Sequence, residues 1–190
     1  MSDDPYLYPG TQTLRNKLGL QDGGALDRAE RRLVALRVAE GQVPIGAFDL
    51  DHLRAIHRYL FQDVFDWAGE IRTVEMSKDD SVFQFRDYIG TGMADVHRRL
   101  ADADFLRGLS AQEFAARVAV IVGDINYVHP FREGNGRTQL QYLKLLAAQA
   151  GHRLDLTRLD PARWLQASKE AVEARYEAMA RCIERALRIG

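Results

Sequence analysis

Apolar residues recur every three or four positions along most of this chain, which is the spacing of an α-helix that buries one face. Local signals mark helix starts, among them the capping box of Ser110 and Glu113 and the Asp160-Pro161 pair. The pattern predicts helices over residues 25–40, 49–67, 88–103, 111–128 and 135–150, followed by one or two more that end near residue 189. The fold class is therefore mainly α, with a core built by packing helix on helix.

One segment has a different pattern. Residues 71–76 and 82–85 alternate apolar and polar side chains, and residues 77–81 between them are of turn-forming types. This predicts a β-hairpin over residues 71–85, the one clear strand signal in the sequence. Residues 1–24 are rich in Gly and Pro and are expected to form an irregular N-terminal arm. No linker or repeat divides the rest, so we expect one domain over residues 1–190.

Composition and charge exclude several classes of protein. The 26 Lys and Arg against 27 Asp and Glu give a net charge of −1, and Cys182 is the only cysteine. A chain with so little net charge has no overall field to hold nucleic acid or an anionic membrane. No stretch approaches the roughly 18 apolar residues of a membrane span, and the acidic N-terminus lacks a signal-peptide core. We expect a cytoplasmic protein that binds no membrane and no nucleic acid directly, with charged residues 27–37 on a solvated helix face.

Residues 129–137, His-Pro-Phe-Arg-Glu-Gly-Asn-Gly-Arg, join two strongly apolar helices. Pro130 lacks an N–H and disfavours helical backbone at the residue before it, so His129 is expected at a helix end with its imidazole projecting. Gly134, Asn135 and Gly136 accept backbone angles that other residues resist. Placed just before a helix, their amides are expected to form a nest for an anion.

Two charged side chains complete this segment. Arg137 lies in the first turn of the second helix, where it is placed to grip a phosphate bound at the same end. Glu133 would repel that phosphate unless a cation lies between them, and Mg²⁺ prefers oxygen ligands of this kind. The segment thus holds a base, a metal ligand, an anion cradle and a phosphate clamp, which are the parts needed to transfer a phosphate-bearing group.

Two plainer interpretations compete with this one. His129, Glu133 and Arg137 are spaced four and four, so an unbroken helix would place them in an ordinary solvated stripe. The proline and the two glycines of the segment argue against an unbroken helix. The other interpretation is a simple helix–loop–helix turn with Asn-Gly chemistry, which is favoured for an isolated Gly-Asn-Gly but not for all nine residues together.

The nine residues 129–137 match the signature HPFx(D/E)GNGR of the Fic-domain (Fic/Doc) family. Residues 65–73, Phe-Asp-Trp-Ala-Gly-Glu-Ile-Arg-Thr, followed by a hairpin, also resemble Fic proteins. The resemblance covers about residues 5–185. It implies the Fic fold, a helical bundle with one β-hairpin called the flap, with the motif in the loop of residues 129–137.

The resemblance implies transfer of AMP from ATP to a hydroxyl side chain of a target protein (AMPylation), with release of pyrophosphate. It implies that His129 is the general base and that Glu133 holds a Mg²⁺ ion bridging the α- and β-phosphates. Pro130 and Phe131 would be structural residues of the motif, with Phe131 directed into the core. Phosphate contacts are implied for four further residues: Gly134, Asn135, Gly136 and Arg137.

The resemblance also implies how a target protein binds. The flap would pair with the backbone of the target as an added strand and so place the acceptor side chain over the α-phosphate. Lys78 lies in the turn of the predicted hairpin. It either contacts the nucleotide or is a solvated turn lysine.

The sequence departs from the family pattern at one position. The longer signature GNGRxxR would place a second arginine at position 140, where this chain has Leu140. In the family that arginine holds the γ-phosphate. Its loss would weaken ATP binding, alter nucleotide choice, or mark an inactive or specialised protein. The alternatives to an adenylyltransferase are therefore a Fic-like binding module and an enzyme that uses a different nucleotide donor.

The family also has an inhibitory helix with the pattern (S/T)xxxE(G/N), and this chain does not contain that pattern. The resemblance then favours the stand-alone toxin type, restrained by a small separate antitoxin that supplies the helix. Type II topoisomerase subunits are targets in that subgroup, and we carry them here as one candidate for the target protein.

Overall fold

The computed structural model describes residues 4–78 and 81–188. This part of the chain is mainly helical, as predicted, and none of its helices has the length and apolar character needed to cross a lipid bilayer. The elements are α1 (Gly23–Glu40), α2 (Leu50–Phe61), β1 (Ser77–Lys78), β2 (Ser81–Val82), α3 (Ile89–Asp102), α4 (Ala111–Val128), α5 (Asn135–Gln149), α6 (Pro161–Val172) and α7 (Glu177–Ala186). Single 3₁₀ turns lie at Arg86–Tyr88, Asp104–Leu106 and Leu156–Arg158.

Helix α4 is the centre of the bundle and packs against α3, α5, α6 and α7. The predicted capping box forms, because the Ser110 hydroxyl accepts from the Glu113 N–H and the Glu113 carboxylate accepts from the Ser110 N–H. Most faces of α4 are apolar, and a helix of this kind is stable only when it is surrounded by others. Its fully buried side chains include Phe114, Val118, Val122 and Ile125. The C-terminal end of α4, where the motif begins, is therefore firmly held.

Helix α2 begins at the predicted cap, where the Asp49 carboxylate accepts from the His52 N–H at 2.8 Å. It ends at Phe61, so the predicted helical continuation to residue 67 is wrong. Val64 and Phe65 are nevertheless fully buried. The Val64 carbonyl accepts from the Lys17 N–H at 2.8 Å. The apolar residues beyond position 61 are thus buried in the core by turns that pack against the N-terminal arm. Their spacing is the same as that of a helix, so the sequence pattern alone does not distinguish the two.

The hairpin is present but much shorter than predicted. The ladder pairs Ser77 with Val82 and Lys78 with Ser81, so three of its four residues belong to the predicted turn, and residues 71–76 are not a strand. The Arg72 N–H instead donates to the Pro130 carbonyl at 2.9 Å. On the returning leg, the Gln84 N–H donates to a carbonyl in the last turn of α4 at 3.0 Å. Both legs of the flap (residues 71–85) are thus hydrogen-bonded to the α4–α5 region, in addition to pairing with each other near the tip of the hairpin.

The N-terminal arm is irregular as far as Asp22, whose carboxylate caps α1 by accepting from the Ala25 N–H at 2.7 Å. Two contacts tie the arm to the motif and the flap. The Arg132 guanidinium pairs with the Asp4 carboxylate at 2.8 Å, and the Thr73 N–H donates to the Tyr6 hydroxyl at 3.1 Å. The arm therefore packs beside the region that carries the predicted chemistry.

Candidate active site

The predicted motif forms a tight turn between α4 and α5. His129 closes α4 with left-handed backbone (φ 47°), and Gly134 precedes α5 with φ 80°. Phe131 lies between them and is fully buried. A Cβ atom on Gly134 would lie 2.3 Å from the Phe61 ring. Both the backbone angle and the close approach thus require glycine at this position.

Two contacts with described residues help to orient the imidazole of His129. Its Nδ1 lies 3.1 Å from the Asn126 carbonyl oxygen. Since a carbonyl can only accept, Nδ1 carries a proton, and in the neutral imidazole the lone pair is therefore on Nε2. The Phe83 ring of the flap stacks on the imidazole, with centroids 3.7 Å apart and planes 13° from parallel. The ring is thus held in the tautomer and the plane that a base acting through Nε2 requires.

Asn135 acts on the turn through its side chain. Its Oδ1 accepts from the Phe131 N–H at 3.0 Å, and its Nδ2 donates to the Phe131 carbonyl at 2.7 Å. The side chain is buried and bridges the turn from both of its polar atoms. The backbone amide of Asn135, in the first turn of α5, is its group in the predicted anion nest.

Glu133 and Gly136 lie at the N-terminal end of α5. The Glu133 carboxylate accepts from the Gly134 N–H at 2.8 Å, so Gly134 can donate to a phosphate only when that carboxylate turns away. Gly136 has no heavy atom within 4 Å of where its Cβ would be. Its position thus leaves room for a ligand to approach the backbone closely.

Arg137 lies in the first turn of α5, as predicted, and its guanidinium contacts other residues of the protein. Its guanidinium forms an ion pair with Glu30 of α1, lies 3.4 Å from Glu133, and stands 4.7 Å above the centre of the Phe61 ring. Glu30 is only 5% exposed, so its expected place on a solvated helix face is wrong. Burial raises the pKa of the Glu30 carboxyl, while Arg137 lowers it. No local pattern around Glu30 indicates that a residue of α1 reaches the motif.

His57 is a second residue that sequence reasoning missed. Its Nδ1 accepts from the Gly69 N–H at 2.8 Å, so Nε2 carries the proton and donates to the Glu133 carbonyl at 3.0 Å. Its ring stacks on Phe131 with centroids 3.9 Å apart. Burial lowers the pKa of His57 to about 4, which keeps it neutral. His57 thus positions the α4–α5 turn from α2.

Arg72 joins the flap to the same turn. Its side chain is fully buried and donates to the carbonyls of His129 at 2.8 Å and of Val74 at 2.7 Å. It also donates to the Gln84 carbonyl on the returning leg of the flap. The Arg72 guanidinium therefore joins three segments: the motif turn and the two legs of the flap. The backbone N–H of Arg72 adds a bond to the motif turn at Pro130.

These elements surround a cavity of about 420 Å³. Three segments line it: Met76, Ser77 and Phe83 from the flap; Asn126, His129, Arg132–Gly136 and Gln139 from α4, the turn and α5; and Trp164, Leu165, Ser168, Lys169 and Val172 from α6. The structure thus brings His129, Glu133 and the amides of residues 134–136 to one cavity. Arg137 and Leu140 do not line it. The side chain of Lys78 lies outside the described residues, so its predicted contact stays a prediction.

Comparison with known proteins agrees with this architecture. Curated relatives include the protein adenylyltransferase VbhT of Bartonella schoenbuchensis, 39% identical over 98% of this chain, and the probable protein adenylyltransferase y4lH of Sinorhizobium fredii, 41% identical over 87% of it. The chain spans 39% of the length of VbhT and 86% of that of y4lH.

Solved structures are similar over nearly the whole chain. BepC of Bartonella tribocorum with bound AMPPNP has a TM-score of 0.89 at 28% identity, covering 98% of this chain and 97% of that one. A Fic domain of Bartonella quintana with bound ADP has a TM-score of 0.89 at 30% identity, covering 97% and 94%. The family model described as Fic/DOC matches residues 47–147, which include the α4–α5 turn and its signature. The chain therefore belongs to the Fic/DOC family.

Proposed function

We propose that this chain is a protein adenylyltransferase, which moves AMP from ATP onto a hydroxyl side chain of a target protein. The observation that carries the proposal is one cavity that holds both an oriented imidazole and the glycine amides at the start of α5. The named activity of VbhT and y4lH supports this reaction. The nucleotides bound to the similar BepC and Bartonella quintana chains support ATP as the donor.

The chemistry follows from the proton position on His129. Its Nε2 takes the proton of the target hydroxyl, and the hydroxyl oxygen attacks the α-phosphorus of ATP. The new bond joins that oxygen to AMP. The bond from the α-phosphorus to the bridging oxygen breaks, and pyrophosphate leaves with the bonding electrons. The amides of residues 135 and 136, at the positive end of α5, face the charge that develops on the phosphates.

A magnesium ion fits the donors present. Among residues 4–78 and 81–188, no cluster of three or more His, Cys, Asp and Glu side chains forms a complete metal site. Mg²⁺ is commonly held by one or two carboxylates together with substrate phosphates and water. Glu133 is half exposed at the cavity and would supply that carboxylate. The ion would neutralise phosphate charge beside it.

The flap is the proposed docking edge for the target protein. A two-stranded sheet leaves backbone donors and acceptors on its outer edges, and an extended segment can add to them as a third strand. Val82 and Phe85 are 60% and 62% exposed on the returning leg and offer apolar contacts to the side chains of such a segment. Because the flap is fastened to the His129 turn through Arg72, a target strand paired there is held in fixed relation to the base.

Labelling separates this proposal from a non-catalytic binding module, which the apolar Leu140 and the engaged Arg137 favour. The protein is incubated with cell lysate, Mg²⁺ and ATP labelled at the α-phosphate. Labelled target bands that disappear with His129→Ala support the enzyme. Absence of label at every ATP concentration supports the module, and label from another nucleotide alone changes the donor. A large gain with Leu140→Arg would show that position 140 limits activity.

We also propose that the protein is the toxin of a toxin–antitoxin pair that acts in the cytoplasm. The absence of the (S/T)xxxE(G/N) pattern from the sequence supports a separate inhibitor. Expression should slow the growth of a bacterial host, and His129→Ala should abolish the effect. Identification of the labelled bands by mass spectrometry tests whether they are type II topoisomerase subunits. Unimpaired growth in the presence of demonstrated labelling would contradict the toxin role.

A further inference from the structure

Gln139 is a buried polar side chain to which the proposed function assigns no role. It lies on α5, is only 4% exposed, and lines the cavity. Its Nε2 is buried without a hydrogen-bond partner within the part of the chain that the structure describes. A buried amide donor without an acceptor is destabilising, because it has lost its hydrogen bond to water and gained none in return. Such a group beside a cavity indicates an acceptor that a ligand would supply.

The position of Gln139 on α5 indicates which part of a ligand it meets. Gly136 lies three residues earlier, which is one helical turn, and both residues line the cavity. Side chains on a helix are tilted towards its N-terminus, over the preceding turn. The Gln139 carboxamide is therefore carried towards the amides of the anion nest rather than away from them.

Charge near the nest strengthens this assignment. Arg137, the cation of the motif, is paired with buried Glu30, and Leu140 supplies no charge. Arg132 lines the cavity but is paired with Asp4, and Lys169 reaches the cavity from α6. On α5 itself, the groups that remain to bind a phosphate are backbone amides and neutral side-chain donors. Gln139 is the side-chain donor on α5 that lies both at the cavity and without a partner among the described residues.

We propose that the Gln139 carboxamide is a phosphate-binding group, whose Nε2 donates to an oxygen of the nucleotide's phosphate chain and extends the anion nest by one helical turn. This assignment rests on the proposed function, because it takes the ligand of the cavity to be ATP. It makes Gln139 part of the means by which this chain binds ATP with a leucine at position 140.

The test compares Gln139→Met with wild-type protein by calorimetric titration of ATP, inorganic pyrophosphate and adenosine, in the presence of Mg²⁺. Methionine keeps the length and flexibility of the side chain and removes the donor. We expect the affinity for ATP and for pyrophosphate to fall about tenfold, as for loss of one hydrogen bond to a charged group, with adenosine affinity unchanged. Gln139→Glu, which adds a negative charge, should weaken both further.

Gln141→Met is the matched control, because Gln141 is also a buried glutamine on α5 but does not line the cavity. Thermal unfolding of each variant establishes that it is folded before titration. Wild-type affinity of Gln139→Met for pyrophosphate and ATP would overturn the inference and leave the proposed function standing. Equal losses for adenosine and ATP would also overturn it. If wild-type protein binds neither ATP nor pyrophosphate, the proposed function itself fails.

Discussion

His129 is fixed on several sides before any substrate arrives. Its backbone is left-handed, its Nδ1 proton is committed to Asn126, and its ring is stacked on Phe83. A left-handed backbone at a residue other than glycine costs on the order of 1–3 kcal/mol and persists only where surrounding contacts impose it. The contacts from Arg72 and Phe83 supply that constraint here. The strained backbone of His129 thus lowers the stability of the fold, and in return the imidazole has a fixed orientation.

Gly134 and Gly136 form a matched pair of tests. Gly134→Ala places a Cβ on the Phe61 ring at a left-handed position, so the free energy of unfolding should fall by about 2 kcal/mol or more in urea titrations. Gly136→Ala meets no atom of the protein and should leave the fold intact. In the proposed placement of the nucleotide its methyl group would project towards the phosphates, so ATP affinity measured by calorimetry should fall by about tenfold or more. Normal ATP binding by Gly136→Ala would contradict the placement of the nucleotide.

His57 predicts a pH dependence of stability. The folded protein holds it neutral with a pKa of about 4, whereas the unfolded chain protonates it near 6.5. The unfolded state therefore binds more protons as pH falls from about 6.5 to 4, and folded-state stability is lost over that window, by about 3 kcal/mol. Chemical unfolding of wild type and His57→Gln at several pH values measures this. The difference in unfolding free energy between wild type and His57→Gln should shrink towards pH 4. Parallel plots of unfolding free energy against pH would contradict this prediction.

At the scale of elements, the flap depends on Arg72. Replacement by Lys leaves several buried carbonyls without a donor, because an ammonium cannot reproduce the guanidinium fork. We expect Arg72→Lys to destabilise the protein by about 2 kcal/mol and Arg72→Met by more. Because the His129 carbonyl is one of those acceptors, kcat should fall more than KM rises.

The control is Arg98→Lys on α3, an exposed arginine paired with Asp95 and Asp102 on the same helix. Exposed pairs of this kind contribute little, so its unfolding free energy should change by less than about 0.5 kcal/mol. Equal effects of Arg72→Lys and Arg98→Lys would show that the buried guanidinium does not fasten the flap.

The sequence predicted best what depends on neighbouring residues. The capping box of Ser110, the proline start of α6 and the break between α4 and α5 are local, and all three are found in the structure. The predicted end of α2 and the predicted length of the hairpin strands were wrong, because contacts with residues distant in the sequence determine both. Glu30 and His57 contact the motif from α1 and α2. Both are far from the motif in the sequence, so the spacing of apolar residues does not predict these contacts.

At the scale of the whole molecule, the cavity joins elements that α4 already holds together. Asn126 donates to the Ser168 carbonyl of α6 at 2.9 Å, and the last turn of α4 carries the returning leg of the flap. A nucleotide in the cavity would contact the flap, the motif turn and α6 at once. Binding should therefore stabilise the bundle as a unit rather than one loop.

Thermal unfolding tests this linkage. ATP at 100 times its dissociation constant adds about 2.7 kcal/mol, which corresponds to a rise in Tm of about 5–10 °C for a chain of this size. Gly136→Ala at the same ATP concentration should show a much smaller rise. A single unfolding transition that moves as a whole is expected, and a shift confined to one of two transitions would contradict the unit behaviour.

The fastening by Arg72 also has a consequence for how the backbone opens. The Arg72 amide is hydrogen-bonded to Pro130 and the Gln84 amide to the last turn of α4. Since the Arg72 guanidinium joins the same segments, we expect both amides to exchange with solvent only when its hydrogen bonds break. In deuterium-exchange experiments the two amides, twelve residues apart in the chain, should therefore show the same opening free energy. They would report on a single cooperative event that releases the flap and the motif turn together.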